Sequence, residues 1–243
     1  MLFLWAYTRP TKYFMTNKLW VFGDSFAELG ADYAWQVQTA KRLQLDLYNV
    51  ARNGVSNEWI TRMWSENYKL ISPNDYLVVI VSFMERVYIF PDNPEITIPS
   101  NISTDPCWNN RKKERQAFEM YWQYLHTPAL QYQRCAAWLH WVDKIAARLR
   151  VKPIIINAFE QEFPTELDSC TLAQGHLQTV SREEWHNIND WFELTSSSGW
   201  QDRRLAHMTE SNHNVLSNKI VEYFTRSTPL DLTTEFLQGI YSK

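Results

Sequence analysis

Glycine is scarce in this chain, with six in 243 residues, and no P-loop or dinucleotide fingerprint occurs. That argues against the nucleotide-dependent enzyme classes. Cysteine is scarcer: Cys107, Cys135 and Cys170 are odd in number, widely separated and free of any CxxC spacing. They offer neither a disulfide framework nor a zinc pattern, so a reduced, intracellular setting is the plain reading. His126, His140, His176, His186, His207 and His213 form no HxH or HxxxH pair, so no metal site and no cofactor is expected. No excess of positive charge is present: 24 Lys and Arg against 27 Asp and Glu give a net charge of -3. A nucleic-acid partner is therefore not expected, and Arg111-Lys112-Lys113 reads as a solvated loop. No stretch reaches the roughly 18 apolar residues of a membrane helix. The opening MLFLWAYTRPTKYFMTNK lacks a basic n-region, and its apolar run is too short for a secretory leader. Repeats and low-complexity tracts are also missing.

What the chain does have is apolar and aromatic mass. Apolar residues make up 45%, with 12 each of Trp, Tyr and Phe. The length suits one large domain able to bury a core without staples. Lys18 to Asp24 reads as a buried strand, Leu45 to Val50 as a second, Asp75 to Ser82 as the strongest and Lys152 to Ala158 as a fourth. Helical spacing covers 32–43, a helix capped by Ser56 covers 57–70, and 112–149 is helical with a break at Pro128. Thr209 caps a last helix reaching Phe224. Strands alternating with helices imply right-handed crossovers. The expected architecture is a three-layer α/β/α sandwich around a mostly parallel, flavodoxin-like sheet. Residues 1–16 read as an N-terminal extension and 17–228 as the domain. A helical insertion is expected at about 90–148 and a C-terminal tail at 229–243. Phe90, Trp108, Trp122 and Trp138 are candidates for a lid or pocket wall, with helix core the favoured alternative.

Sites in such sheets lie at the carboxyl ends of the strands. The first end carries Phe22-Gly23-Asp24-Ser25-Phe26. A Ser just past a strand can project from the sheet edge, but its hydroxyl needs a base to become a nucleophile. The same Ser could simply cap the next helix. After the second strand, Asn49 to Asn57 holds Gly54 in an Asn-Gly turn, which an ordinary strand-to-helix connection would also use.

A GDS closing the first strand resembles the first block of the SGNH (GDSL-type) hydrolase family. The resemblance implies that Ser25 is the nucleophile and that its N–H joins an oxyanion hole. It implies that the Gly54 N–H is a second donor, and that a His before the last helix is the base. His207 in His207-Met208-Thr209-Glu210 resembles that segment and is preferred over His213, which reads as packed or structural. The sequence departs from the family in two places. The third block reads Val81-Ser82-Phe83-Met84-Glu85-Arg86, without the usual Asn; Ser82 or Arg86 could replace it. Some phage-borne relatives are similar here. The residue three before His207 is Arg204, so the orienting acid is Asp202, or Glu210 acting with His213, or absent.

The expected activity is hydrolysis of a small acyl ester, acetyl on a glycan among the substrates, through an acyl-serine. Ser25, His207 and Asp202 would be catalytic, Ser25 and Gly54 would form the oxyanion hole, and Asp24, Asn57, Ser82 and Arg86 would contact substrate. Partners are then a small-molecule or glycan ester, with no membrane, and the location cytoplasmic or virion-associated. The alternative is a decayed site on a binding or structural virion module. A flavodoxin-like cofactor binder shares the sheet but needs a phosphate-cradling loop that FGDSF, with one Gly, does not offer.

Overall fold

The computed structural model describes residues 16–29, 32–84, 86–88, 97–98, 116, 119–121, 123–161, 166–180 and 208–236. The chain runs β1 (Lys18–Phe22), α1 (Trp35–Leu43), β2 (Asp46–Asn49), α2 (Asn57–Asn67), β3 (Tyr76–Val81), β4 (Val87–Tyr88) and β5 (Thr97–Ile98). It continues with α3 (Pro128–Leu149), β6 (Ile154–Asn157), β7 (Thr171–His176) and α4 (Glu210–Arg226). Five strands form one parallel sheet in the order β2-β1-β3-β6-β7, while β4 and β5 pair as a separate antiparallel ribbon. This is the expected α/β fold, with the doubly wound strand order of flavodoxin-like sheets.

The period-two alternation of the strands divides the core. Leu19, Val21, Val78, Ile80, Ile154 and Ile156 face one way, against α1 and α4. Trp20, Phe22, Leu77, Val79, Val81 and Ile155 face the other, against α2 and α3. Both sets are buried, which is why YLVVIV and IIIN read as unbroken apolar runs rather than alternating ones.

Two expectations are refined. The helical half of the segment read as an insertion belongs to the framework: α3 is the crossover between β3 and β6, and it buries Cys135, Trp138, Leu139, Val142 and Ala146 on the sheet. Pro128 begins that helix, with the Thr127 hydroxyl accepting from Leu130 N. The segment read as a tail is bound as far as Phe236, where the description ends. Gln174 N donates to Leu230 O and Leu232 N to Gln174 O, covering the outer edge of β7, and Leu230, Leu232 and Phe236 are buried. β7 itself escaped the sequence reading. TLAQGH carries Gln174 and a left-handed Gly175 at φ 86°, so it lacks the apolar run of an inner strand.

Scarce glycine shows at the helix ends. α1, α3 and α4 stop on Gln44, Arg150 and Ser227, each left-handed at φ 55–58°. A residue with a Cβ pays roughly 1 kcal/mol there that glycine does not. Asp143, on α3, anchors the approach to β7 by accepting from Ser169 N at 2.7 Å and Cys170 N at 3.0 Å. Burial pushes this carboxyl's pKa up, but the backbone donors of Ser169, Cys170 and Asp168 and the Cys170 thiol outweigh it, and the net direction is down.

Gln44→Gly and Ser227→Gly should each raise unfolding stability by about 0.5–1 kcal/mol, read as a higher urea midpoint. Asp143→Asn should cost about 1–2 kcal/mol at neutral pH. Because the folded pKa is depressed, the Asp143 contribution is complete above the unfolded value of about 3.9 and fades as pH falls through the lower folded value. In urea titrations of both proteins, the difference should be constant from pH 7 to about pH 5 and begin to narrow as the pH falls below about 3.9.

Candidate active site

Four loops leave the carboxyl ends of β1, β2, β3 and β6 and are tied together by side chains. Gly23 makes the first crossing possible: a Cβ there would lie 2.7 Å from Ile80 Cβ, so only glycine lets β1 pass this close to β3. Asp24 follows, fully buried. Its Oδ1 accepts from Phe26 N at 3.1 Å, and Asp24 O accepts from Ala27 N at 3.0 Å, folding residues 24–27 into a tight turn. Ser25 sits on this turn, 4% exposed. It does not cap the next helix, because α1 starts only at Trp35 and its N-cap is Ala34.

The carbonyls of the turn are held from outside. Trp35 Nε1 donates to Phe26 O, Gln36 Nε2 donates to Ala27 O and Glu28 O, and Asn49 Nδ2 donates to Ala27 O. Asn49 ends β2, and its Oδ1 accepts from Ala51 N at 2.7 Å. Arg52 N then donates to Gly23 O at 3.2 Å, which brings the β2 loop beside the first turn. Gly54 takes a left-handed φ of 69° in that loop, and Ser56 caps α2.

The third loop closes the arrangement. Asp24 Oδ2 accepts from Ser82 Oγ at 2.8 Å and from Arg86 Nη1 at 3.1 Å. The Ser82 hydroxyl has one proton, and the carboxylate is its stronger acceptor; its oxygen in turn accepts from Arg86 Nη1 at 2.9 Å. Val55 O lies 2.9 Å from Ser82 Oγ and 3.4 Å from Arg86 Nη1. Asn57 pairs with the Ser82 backbone like an extra strand residue: Nδ2 donates to Ser82 O and Oδ1 accepts from Ser82 N, both at 2.9 Å. Gln161, beyond β6, donates to Ser82 O at 3.0 Å and accepts from Met84 N at 2.9 Å. Phe159 lies under the Arg86 guanidinium, 5.2 Å from ring centre to Cζ, and packs edge-on against Phe26.

The structure thus brings Asp24, Ser25, Asn57, Ser82 and Arg86 together, with Gly54 on the adjoining loop. His207 and Asp202 lie outside the described residues, as do Phe90 and Trp108 and the side chain of Trp122. The chain reappears at Met208, which is buried on the α1 and α4 side of the sheet, followed by the N-cap Thr209. His213 is committed elsewhere: its Nδ1 accepts from Trp35 N at 3.2 Å, filling one of the open donors at the start of α1. Glu210 is exposed on the first turn of α4. Among the described residues no cluster of His, Cys, Asp and Glu could hold a metal ion, and no helix is long and apolar enough to cross a membrane. Asn49, Gln36, Gln161 and Phe159 were missed from sequence. A strand that ends in an amide, as β2 does, was the available signal.

No family model matches the chain, and no curated protein does. Twelve chains of solved structures are similar to it, two of them as follows. A candidate SGNH hydrolase from Slackia heliotrinireducens aligns at 11% identity and a TM-score of 0.28 over 58% of this chain and 55% of its own. An acetyl xylan esterase from the rumen bacterium Butyrivibrio proteoclasticus aligns at 11% identity and a TM-score of 0.40 over 87% of this chain and 64% of its own. In both cases the match spans less than two thirds of the other protein's length.

Removing the guanidinium alone leaves the Asp24 carboxylate buried with its charge uncompensated. Arg86→Met should therefore cost about 3 kcal/mol of stability. The double variant Asp24→Asn, Arg86→Met should lose less than the sum of the two single changes in a urea double-mutant cycle.

Proposed function

We propose that this protein is a serine esterase or deacylase that works through an acyl-serine intermediate. The observation that supports it most is the placing of Ser25. It occupies a turn at the carboxyl end of β1, its neighbours' carbonyls are fixed by Trp35, Gln36 and Asn49, and Gly54 stands on the loop alongside. A nucleophile needs this kind of preorganisation, since misplacement by an ångström costs orders of magnitude in rate. The SGNH-like order of GDS, Gly54 and His207 in the chain supports the same reading.

In this mechanism the Ser25 oxygen attacks the ester carbonyl while His207 takes the hydroxyl proton. The carbonyl oxygen becomes an oxyanion facing the N–H groups of Ser25 and Gly54, and such donors are worth about 3–4 kcal/mol each. The bond to the alcohol breaks as His207 returns the proton to the leaving oxygen. Water then adds to the acyl-serine as His207 takes its proton; the bond to Ser25 Oγ breaks, His207 returns the proton to that oxygen, and the carboxylic acid leaves. Asp202 orients His207 and stabilises its charged form. Arg86 and Ser82 stand where the family has its Asn, and both are engaged by Asp24, so they hold the turn that carries Ser25. Small acyl esters, acetyl on a glycan among them, are the substrates the resemblance implies.

Labelling with a fluorophosphonate probe tests the reading. The wild-type protein should label, and Ser25→Ala and His207→Ala should not, with unchanged circular dichroism. Ester hydrolysis should fall by about four to six orders of magnitude in Ser25→Ala. A folded wild-type protein that neither labels nor turns over esters would return the fold to the binding-module reading.

A further inference from the structure

A cleft of about 540 Å³ opens between α2 and α3, with Glu58 and Thr61 on one side and Gln131, Ala137, Trp138 and Trp141 on the other. Its volume falls in the range of small-molecule sites, about 300–1,000 Å³. Neither Ser25 nor Gly54 lines it, so it stands apart from the turn that carries the candidate nucleophile. Three polar atoms of its lining residues are shielded from solvent and make no hydrogen bond: Glu58 Oε2, Gln131 Nε2 and Trp138 Nε1. Gln131 is 4% exposed and Trp138 6%, so neither is a surface group awaiting water. Buried polar atoms are almost always paired, and three orphans from residues around one cavity need a reason.

The orphans are of both kinds. Gln131 Nε2 and Trp138 Nε1 donate, and the Glu58 carboxylate oxygen accepts. Thr61 adds a second acceptor, because its hydroxyl proton goes to Asn57 O at 2.7 Å. The terminal torsions of Glu and Gln are broad, so a modest turn presents either group to the cleft. Little holds the Glu58 carboxylate back: Arg134 Nη1 stands 3.7 Å from its Oε1 and donates to the Tyr121 hydroxyl at 3.0 Å. A ligand anion fits poorly here, since it would meet the Glu58 charge and a guanidinium already engaged.

A ligand that answers this wall must donate and accept at neighbouring points and still offer carbon to an indole. A purely apolar ligand would leave every orphan unpaired. A hydroxyl donates and accepts at once, and a sugar ring carries hydroxyls around its edge and C–H groups on its faces. We propose that the α2–α3 cleft binds an uncharged sugar, with Trp141 against the apolar face of a ring and ring hydroxyls accepting from Gln131 Nε2 and donating to Glu58 Oε2. The site is separate from Ser25 and does not depend on Ser25 being a nucleophile.

Titration of the full chain with methyl glucoside, cellobiose, maltose, xylobiose and 1-hexanol, followed in proton–nitrogen correlation spectra, tests the site. The Trp138 indole N–H signal, assigned by its loss in Trp138→Phe, should shift saturably with at least one of the sugars and not with hexanol. Gln131→Leu should weaken binding of that sugar by about fivefold, the worth of one hydrogen bond, while keeping or raising the urea midpoint, because it removes an unpaired buried amide. Trp141→Ala should weaken it by about tenfold. Ala137→Trp, a change at an exposed helix position on the rim, should block it with unchanged circular dichroism. The inference is overturned if none of the four sugars moves the signal, if hexanol binds more tightly than every sugar, or if Gln131→Leu leaves the affinity unchanged. Failure of the wild-type protein to label or to turn over esters would remove the esterase reading and leave these expectations as they stand.

Discussion

The buried carboxylate of Asp24 is the contact on which the rest of the site depends. A carboxylate without exposure is tolerable only when its oxygens are fully engaged. Here one oxygen takes the Phe26 N–H of its own turn, and the other takes the Ser82 hydroxyl and the Arg86 guanidinium from the next loop. The bonds that satisfy the charge also dictate the shape. Residues 24–27 cannot relax without stripping Asp24 of donors, and the β3 loop cannot move without exposing the charge to apolar surroundings. Ser25 inherits a fixed position from this constraint.

Amide side chains extend the constraint to the other loops. Asn49, Asn57, Gln36 and Gln161 each bridge backbone groups that no strand or helix satisfies. An amide carries a donor and an acceptor on one rigid plane, so it can stand in for a missing strand neighbour, as Asn57 does for Ser82. This solution suits a glycine-poor chain. Gly54 is the left-handed glycine of the β2 loop, and the pinning of the loops to one another falls to side chains. His213 belongs to the same pattern, since its imidazole supplies an acceptor to the first N–H of α1.

The sheet then separates two packing surfaces. Residues of odd and even position along β1, β3 and β6 build two cores that never meet. The α1 and α4 face holds Met208 and Leu216. The α2 and α3 face carries the aromatic cleft.

Much of this was legible in the residues. The runs around Val21, Val79 and Ile155 announced buried parallel strands, because only a strand covered on both faces is apolar at every position. Ser56 and Thr209 announced helix starts through the chemistry of their hydroxyls, and both cap as expected. The gathering of Ser25, Gly54 and Ser82 at strand ends followed from alternating strands and helices. What the linear order could not carry was pairing across distance. Arg86 lies 62 positions from Asp24 and Gln161 lies 79 from Ser82, and no local pattern selects such partners. β7 was hidden because an edge strand closed by Leu230 and Leu232 needs little apolar character of its own. Sequence alone determined four of the five sheet strands, the caps at Ser56 and Thr209 and the list of reactive candidates, since these rest on periodicity and local bonding. Only the tertiary structure decided that Arg86 and Ser82 serve a buried charge and that His213 serves a helix end, because each depends on which groups burial leaves without water.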